Sequence, residues 1–188
     1  SLIPPDGIKV NKVVANIPYN ITSPLLYRLI GKLGCLPETK YQRLVLLLQK
    51  EVAERILAKP GESNFSAMSV RIQLLAKSRS VCDVPPRCFQ PSPKVDSKVV
   101  VIEPFDLSER SDLRVEKKVE ALLKITFLAR RKKLRNTLGN IKPLGQLEVL
   151  TEKLGISLDQ RPQEVSPMNW VELSRGLDAE RYEPFKES

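Results

Sequence analysis

The sequence lacks histidine and long apolar runs, and these two absences exclude several classes of protein. Without imidazole there is no Ser-His or Cys-His nucleophile pair, and no side chain that ordinarily titrates near neutral pH. No stretch approaches the roughly 18 apolar residues that a membrane-spanning helix needs. Residues 1–6 also lack the basic and apolar regions of a signal peptide. We therefore expect a cytoplasmic protein without a membrane partner.

Cysteine and glycine are scarce as well. Cys35, Cys82 and Cys88 are odd in number and lack the close paired spacing of a zinc site, so we expect no metal and three reduced, buried thiols. The eight glycines include no Gly-x-Gly pair. Doubly wound α/β proteins commonly hold nucleotide-like ligands with such a glycine-rich turn. The sequence therefore contains no turn of that kind.

Positive charge is abundant and concentrated in one window. The composition, 41% hydrophobic and 28% charged, is typical of a globular protein, and the formal net charge is +9. Residues 114–142 contain ten bases against only two acids, Glu116 and Glu120, which leaves +8 in this window. The rest of the chain is close to neutral. A local excess of this size indicates a surface that binds a polyanion such as a nucleic acid.

The most informative stretch of the chain is a polar loop between a predicted strand and a predicted helix. Residues 13–15 predict a strand buried on both faces, and Ser23 followed by Pro24 predicts the N-cap and first residue of a helix. The loop from Asn16 to Tyr19 then lies at the carboxyl end of a strand, where open α/β sheets bind their ligands.

The chemistry of this loop suits an exocyclic amino group. Pro18 fixes its own φ and restricts Ile17 to an extended conformation. The Asn16 carboxamide oxygen and a neighbouring carbonyl, of Ile17 or Pro18, can accept both hydrogens of an amino group, and the Tyr19 ring offers a flat face for the same base. An ordinary strand-to-helix turn, with Asn16 as a turn residue and Tyr19 as packing, remains the alternative on these residues alone.

The remaining pattern predicts a mixed α/β part followed by helices. Strands are expected at residues 43–48, 80–84 and 97–102, the last two as an antiparallel hairpin, with helices at 24–32, from 49 and at 66–76. After a linker at 104–110 only helices are expected, at 113–128, 129–138, 144–154 and 167–177. We expect two domains, 1–106 and 107–188.

Several motifs resemble one family. Asn16 begins the string Asn-Ile-Pro-Tyr-Asn-Ile-Thr-Ser-Pro-Leu-Leu, Leu48 begins Leu-Gln-Lys-Glu-Val-Ala-Glu-Arg-Ile, and Phe89 begins a Phe-x-Pro-x-Pro-Lys-Val-x-Ser pattern. Together with the basic string from Phe127 to Leu138, these resemble the small-subunit ribosomal RNA adenine N6,N6-dimethyltransferases. The resemblance implies the remaining half of a doubly wound, Rossmann-like methyltransferase sheet with a terminal hairpin, followed by a small helical RNA-binding domain.

The resemblance also implies roles for individual residues. Asn16, Ile17, Pro18 and Tyr19 would receive the target adenine, and Phe89 would stack on its other face; Asn16 would also contact the donor, S-adenosylmethionine. The RNA is expected to contact seven basic side chains. Two lie in the loop before the last strand and five on a helix that starts near Ala129: Arg87, Lys94, Arg130, Arg131, Lys132, Lys133 and Arg135. Residues 130, 133 and 137 are expected on one face of that helix.

The resemblance begins near residue 13, after the point where members of the family carry three strands and the donor-binding motifs. The chain is therefore expected to be an inactive fragment of an enzyme whose partner is the ribosomal RNA of the small-subunit precursor. Two alternatives remain. One is a macrolide-resistance-type methyltransferase of large-subunit ribosomal RNA, which shares the Asn-Ile-Pro-Tyr loop. The other is a non-catalytic RNA-binding module in ribosome assembly, for which the basic helices suffice.

Overall fold

The computed structural model describes residues 10–38 and 40–177. They form a four-stranded sheet with helices, as predicted for an α/β protein, and then a helical part. The strands are β1 Lys12–Asn16, β2 Arg43–Gln49, β3 Ala76–Val84 and β4 Ser97–Pro104. The helices are α1 Thr22–Ile30, α2 Lys50–Leu57, α3 Ala67–Leu75, α4 Leu113–Leu128, α5 Leu134–Leu138, α6 Leu144–Lys153 and α7 Pro167–Gly176. No helix within these residues is both long enough and apolar enough to span a membrane.

The strands lie in the order β1-β2-β4-β3. β1 and β2 are parallel, whereas β4 is antiparallel to both β2 and β3. The predicted hairpin is therefore confirmed, with a β-bulge between Ser80 and Cys82. The carboxyl ends of β1, β2 and β3 and the start of β4 meet at one end of the sheet, which we call the loop end.

The hydrophobic core lies on one face of the sheet. Leu44, Leu46 and Leu48 of β2 and Val100 and Ile102 of β4 are fully buried on this face, because side chains alternate along a strand. They form one cluster with the buried side chains of the helices, and this cluster extends to Leu177. The division of the chain near residue 106 stays a prediction.

The opposite face of the sheet is exposed at β1, so the prediction that β1 is buried on both faces is wrong. Val14 is 82% exposed. β1 is an edge strand of this sheet, and the described helices that contribute to the core pack on the other face. The three cysteines are free, as predicted, but exposed and not buried.

The helices begin and end close to the predicted positions, with two exceptions. α1 begins at Thr22 and follows a 3-10 turn at Tyr19–Ile21, so Ser23 is not its N-cap. Pro24 instead occupies the first turn, where a residue without an N–H is tolerated. The second exception, in the basic segment before α5, is described below.

The helical part has its own aromatic contact. Ser166 caps α7 as predicted, with its hydroxyl accepting a hydrogen bond from Asn169 N at 3.2 Å. Trp170 of α7 is fully buried, and its ring centroid lies 6.0 Å from that of Phe127 on α4. This pair joins the end of α4 to α7.

Candidate active site and basic surface

The polar loop continues the sheet by one residue and then turns away. Asn16 is the last residue of β1 and pairs with Leu47 of β2. Ile17 N donates to the Leu47 carbonyl at 3.2 Å, and the Ile17 side chain is 1% exposed. These contacts fix the main chain of the loop. The Asn16 carboxamide is exposed and forms no hydrogen bond within the described residues, so it is open to a ligand.

The two carbonyls that the sequence left as alternatives differ in the structure. The Pro18 carbonyl accepts hydrogen bonds from Ile21 N at 3.2 Å and from Thr22 Oγ1 at 3.3 Å, which close the turn into α1. A carbonyl oxygen has two lone pairs, and both are then used. The Ile17 carbonyl accepts no hydrogen bond from residues 10–38 or 40–177. Of the two carbonyls, that of Ile17 is therefore the one still able to accept a hydrogen bond beside Asn16.

Tyr19 is fixed to the start of β4, a central strand of the sheet, by a hydrogen bond between two hydroxyl groups. Its Oη lies 2.8 Å from Ser97 Oγ, and the Ser97 side chain is fully buried. Ser97 is the first residue of β4 and pairs with Gln49 and Val84 on the two neighbouring strands. The ring of Tyr19 is thus held by its edge, which leaves its faces for packing or stacking.

Phe89 lies at the same end of the sheet, in the proline-rich loop between β3 and β4. It is half-buried and follows a 3-10 turn at Pro86–Cys88. Ser92 Oγ donates to the Pro86 carbonyl at 2.9 Å, and Lys50 N donates to the Asp96 carbonyl at 2.9 Å. The loop is thus tied internally and to α2.

Tyr19 and Phe89 form no ring contact with each other in the described structure. The two aromatic side chains nevertheless belong to segments that meet at the loop end, because Tyr19 bonds Ser97, the residue at which the proline-rich loop enters β4. Their action as two faces of one base clamp stays a prediction.

The two predicted RNA-binding residues of the proline-rich loop, Arg87 and Lys94, are exposed. Lys94 lines an open cavity of about 400 Å³ next to Gln49 at the end of β2. The same cavity is lined by the acids Glu51 and Glu54, so its charge is mixed. Contact with RNA at this loop stays a prediction.

The predicted helix from Ala129 to Leu138 is wrong. α4 ends at Leu128, residues 129–133 form a turn, and α5 contains only Leu134–Leu138. The N–H groups of Leu134 and Arg135 donate to the carbonyls of Gln160 at 2.8 Å and Leu158 at 3.0 Å, and not to a preceding helical turn. We call residues 129–133 the basic turn. It contains four of the five predicted bases, and residue 137, expected beside them, is buried.

The turn allows neighbouring bases to reach separate partners. Arg130 Nη2 donates to the Ser63 carbonyl at 3.2 Å. Lys133 Nζ and Arg135 Nη2 each lie 3.0 Å from Asp159 Oδ1. The hydrogen bond from Lys133, with the positive charge of Arg135, lowers the pKa of Asp159 below its ordinary value.

Arg131 and Lys132 are the bases of the turn that have neither an ion pair nor a hydrogen bond from their side chains within the described residues. Both are exposed. The structure thus separates the five predicted phosphate-binding residues into two with uncompensated charge and three that already have polar partners.

Two residues at these sites were not assigned from the sequence. Ser97 belongs to the Phe-x-Pro-x-Pro-Lys-Val-x-Ser pattern, so the pattern itself was a signal that this hydroxyl has a role. Asp159 lies 26 residues from Lys133, and no local spacing connects the two. Only the return of the chain from α6 towards α7 brings Asp159 beside the bases.

The described residues fit only part of a donor such as S-adenosylmethionine. Asn16 is placed at the loop end as required, but the chain that follows β1 contains no glycine turn. The described glycines with positive φ lie elsewhere, at Gly31, Gly34, Gly61 and Gly155. The geometry of the loop end therefore fits the accepting base better than the donor.

Comparison with known proteins finds relatives that match nearly the whole chain. The chain is 75% identical over 177 residues to a ribosomal RNA small subunit methyltransferase A of Prochlorococcus marinus (strain MIT 9211), covering 94% of this chain and 63% of the relative. It is 63% identical over 174 residues to the protein of that name from Synechococcus sp. (strain WH7803), covering 93% of this chain and 62% of the relative.

Solved structures show the same fold. A crystal structure of a dimethyladenosine transferase from Plasmodium falciparum superposes with a TM-score of 0.72 at 27% identity, covering 92% of this chain and 67% of that chain. The 23S rRNA methyltransferase ErmE superposes with a TM-score of 0.68 at 22% identity, over 93% of this chain and 67% of that chain, and supports the fold alone.

The chain spans about 63% of the length of the curated relative it matches at 75% identity. Within this chain, residues 8–178 match the model described as ribosomal RNA adenine dimethylase. This match covers the polar loop, the proline-rich loop and the basic turn. The chain belongs to the ribosomal RNA adenine dimethylase family.

Proposed function

We propose that this chain supplies the base-binding and RNA-binding parts of an enzyme that dimethylates adenine N6 in the ribosomal RNA of the small-subunit precursor. In this proposal the enzyme uses S-adenosylmethionine as the methyl donor and acts in the cytoplasm. The identity of 75% to a protein named as a small subunit methyltransferase favours this target over the large-subunit alternative.

The observation that carries the proposal is the pair of free acceptors at the end of β1. The lone pair of an adenine amino nitrogen is delocalised into the ring, so the nitrogen is a weak nucleophile. If the Asn16 carboxamide oxygen and the Ile17 carbonyl accept its two N–H groups, the nitrogen is favoured in the tetrahedral geometry that attacks a methyl group in line. A bound donor would supply the methyl group from its positively charged sulfonium, whose S–CH3 bond would break to leave a neutral thioether, and the amino nitrogen would lose one proton for each methyl group gained. No histidine is required as a base.

The neighbouring rings supply a place for the base itself. An adenine must leave its stack before its amino group can enter such a site. The Tyr19 ring, held at its hydroxyl by Ser97, offers a fixed face, and Phe89 is presented by a loop of restricted flexibility. Stacking on aromatic side chains contributes roughly 1–3 kcal/mol per base, which can offset the loss of stacking in the RNA.

The test is an Asn16→Ala substitution in a chimera in which this chain replaces the matching 63% of the Prochlorococcus relative. Loss of one preorganised polar group should raise the barrier to methyl transfer by roughly 2.7–4 kcal/mol, or about 100- to 1,000-fold in turnover. The affinity for RNA should change little, because phosphates supply most of it. The matched control is Asn20→Ala, a second exposed asparagine of the same turn.

Equal losses of turnover in the Asn16 and Asn20 variants would contradict the role of Asn16. Parallel losses of turnover and RNA affinity would make Asn16 a structural turn residue. A chimera that binds RNA but neither binds the donor nor transfers a methyl group would support the alternative of a non-catalytic RNA-binding module.

A further inference from the structure

The two acids of residues 114–142, Glu116 and Glu120, both pair with arginines that precede α4 in the chain. Glu116 Oε1 and Oε2 accept hydrogen bonds from Arg110 at 2.9 and 2.6 Å, and Oε2 also accepts one from Gly34 N at 2.8 Å. Both charged side chains of this pair are only 2% exposed. Glu120, one turn later, accepts two hydrogen bonds from Arg71 of α3 at 2.8 and 3.0 Å. The acids therefore hold α4 against the preceding part of the chain.

The exposed side of α4 next to these acids consequently carries positive charge that neither acid neutralises, because Glu116 and Glu120 already pair with Arg110 and Arg71. At about 100° per residue, Arg114, Lys117 and Lys124 fall within a third of the helix circumference, and all three are exposed. None of the three has an ion pair or a side-chain hydrogen bond within the described residues. We call these three residues the α4 stripe. The positions between them on the same side of the helix are uncharged apart from Lys118.

The α4 stripe is a rigid row and continues towards the basic turn. Arg114 and Lys124 are ten residues apart, or about 15 Å at 1.5 Å per residue. α4 ends four residues after Lys124, and the basic turn follows directly. Three charges of one sign on one helix repel each other unless an anion lies beside them. The stripe presents no aromatic ring, so it is suited to phosphates and not to base stacking.

We propose that the α4 stripe binds the phosphate backbone of the RNA, at a segment separate from the one that contacts the basic turn. This inference rests on the RNA substrate of the proposed function but not on methyl transfer. Because phosphates are the same in every sequence, the stripe adds affinity and orientation without sequence preference. Contact along α4 would fix the direction in which the RNA approaches the loop end.

The experiment uses the 188-residue chain and fluorescence anisotropy with two labelled RNA hairpins, one with a sequence from small-subunit ribosomal RNA and one of unrelated sequence. The variant is Lys117→Glu with Lys124→Glu. Its matched control is Arg79→Glu with Lys153→Glu, two exposed bases on β3 and α6 with the same total change in charge. Far-UV circular dichroism and thermal unfolding check that all proteins remain folded.

Loss of two phosphate contacts should flatten the slope of log K against log salt by about 1.4–1.8. If the affinities converge near 1 M salt, this corresponds to roughly 25- to 60-fold weaker binding at 0.1 M salt. Both RNAs should be affected alike, and the control should stay within a few-fold of the parent chain. A neutral variant, Lys117→Gln with Lys124→Gln, loses the same two contacts and should show the same flattening, with a smaller loss of affinity because it adds no negative charge.

Three outcomes would overturn the inference. An unchanged salt slope in the Lys117 and Lys124 variants, while the parent chain binds RNA, would remove the stripe and leave the proposed function intact. An equal loss in the control would make the effect one of net charge. No measurable binding of the parent chain to either RNA would contradict this inference, whereas methyl transfer by the chimera would remain a separate test of the proposed function.

Discussion

Replacing Glu116 by glutamine should destabilise the protein more than the same replacement of Glu120, the other acid of α4. Glutamine keeps an acceptor for Gly34 N but leaves the Arg110 guanidinium, which is 2% exposed, without a counter-charge. Breaking a buried ion pair by removing one partner costs about 3–5 kcal/mol, because the remaining charge is buried and unpaired. For a chain of 188 residues this corresponds to a decrease in Tm of roughly 6–20 °C.

Two further variants separate the buried charge from simple loss of a contact. Glu120→Gln breaks the neighbouring pair with Arg71, whose side chains are 19% and 26% exposed, and should cost only about 1–2 kcal/mol. Arg110→Met combined with Glu116→Gln removes both charges and should recover most of the stability lost by Glu116→Gln alone. Urea unfolding followed by circular dichroism gives these free energies.

A cost for Glu116→Gln no larger than that for Glu120→Gln would contradict this prediction. A double variant less stable than Glu116→Gln would also contradict it, since the unpaired charge of Arg110 would then not be the cause of the loss. A decrease in the dependence of the unfolding free energy on urea would instead indicate that α4 has separated from the sheet before global unfolding.

The remaining predictions concern the base and the RNA. In the chimera, Tyr19→Ala and Phe89→Ala should each weaken binding of an extrahelical adenine by about 1–3 kcal/mol, and a double-mutant cycle with strictly additive losses would show that they hold different groups. Asp159→Asn should free Lys133 and Arg135 and strengthen RNA binding, with a steeper slope of log K against log salt. Arg131→Glu with Lys132→Glu should flatten that slope. RNA titrations at several salt concentrations measure both slopes, and an unchanged slope in either variant would contradict phosphate binding by the basic turn.

The order of elements was predictable because local pattern determines it. The alternation of β3 and β4 and the proline-rich segment between them indicated a hairpin, and the structure has one. The extent of α4, Leu113–Leu128, also agrees with the prediction, since its apolar positions repeat at helical spacing. The polar loop was recognisable from its residues, although only the structure shows that the Pro18 carbonyl is occupied.

The errors arose where distant contacts decide. Nothing in residues 129–133 indicates a turn. The contacts that end it are made by Leu134 and Arg135, whose N–H groups donate to carbonyls more than 20 residues away, of Gln160 and Leu158. The burial expected for Val14 depended on neighbours in the folded sheet, and within the described residues β1 has a partner strand on one side only. A count of charges also does not show that Glu116 and Glu120 pair with Arg110 and Arg71. Only the fold shows that these acids leave the charges of the α4 stripe uncompensated.

The position of the single tryptophan allows its fluorescence to report on unfolding of the helical part. Trp170 is the one tryptophan of the sequence, and it is buried beside Phe127 where α4 meets α7. Its emission therefore follows the environment of the helical part, whereas far-UV circular dichroism averages over the sheet and all helices. Coincident transitions by the two signals would mean that the sheet and the helices unfold as one unit, and separate transitions would resolve the boundary near residue 106 without any label.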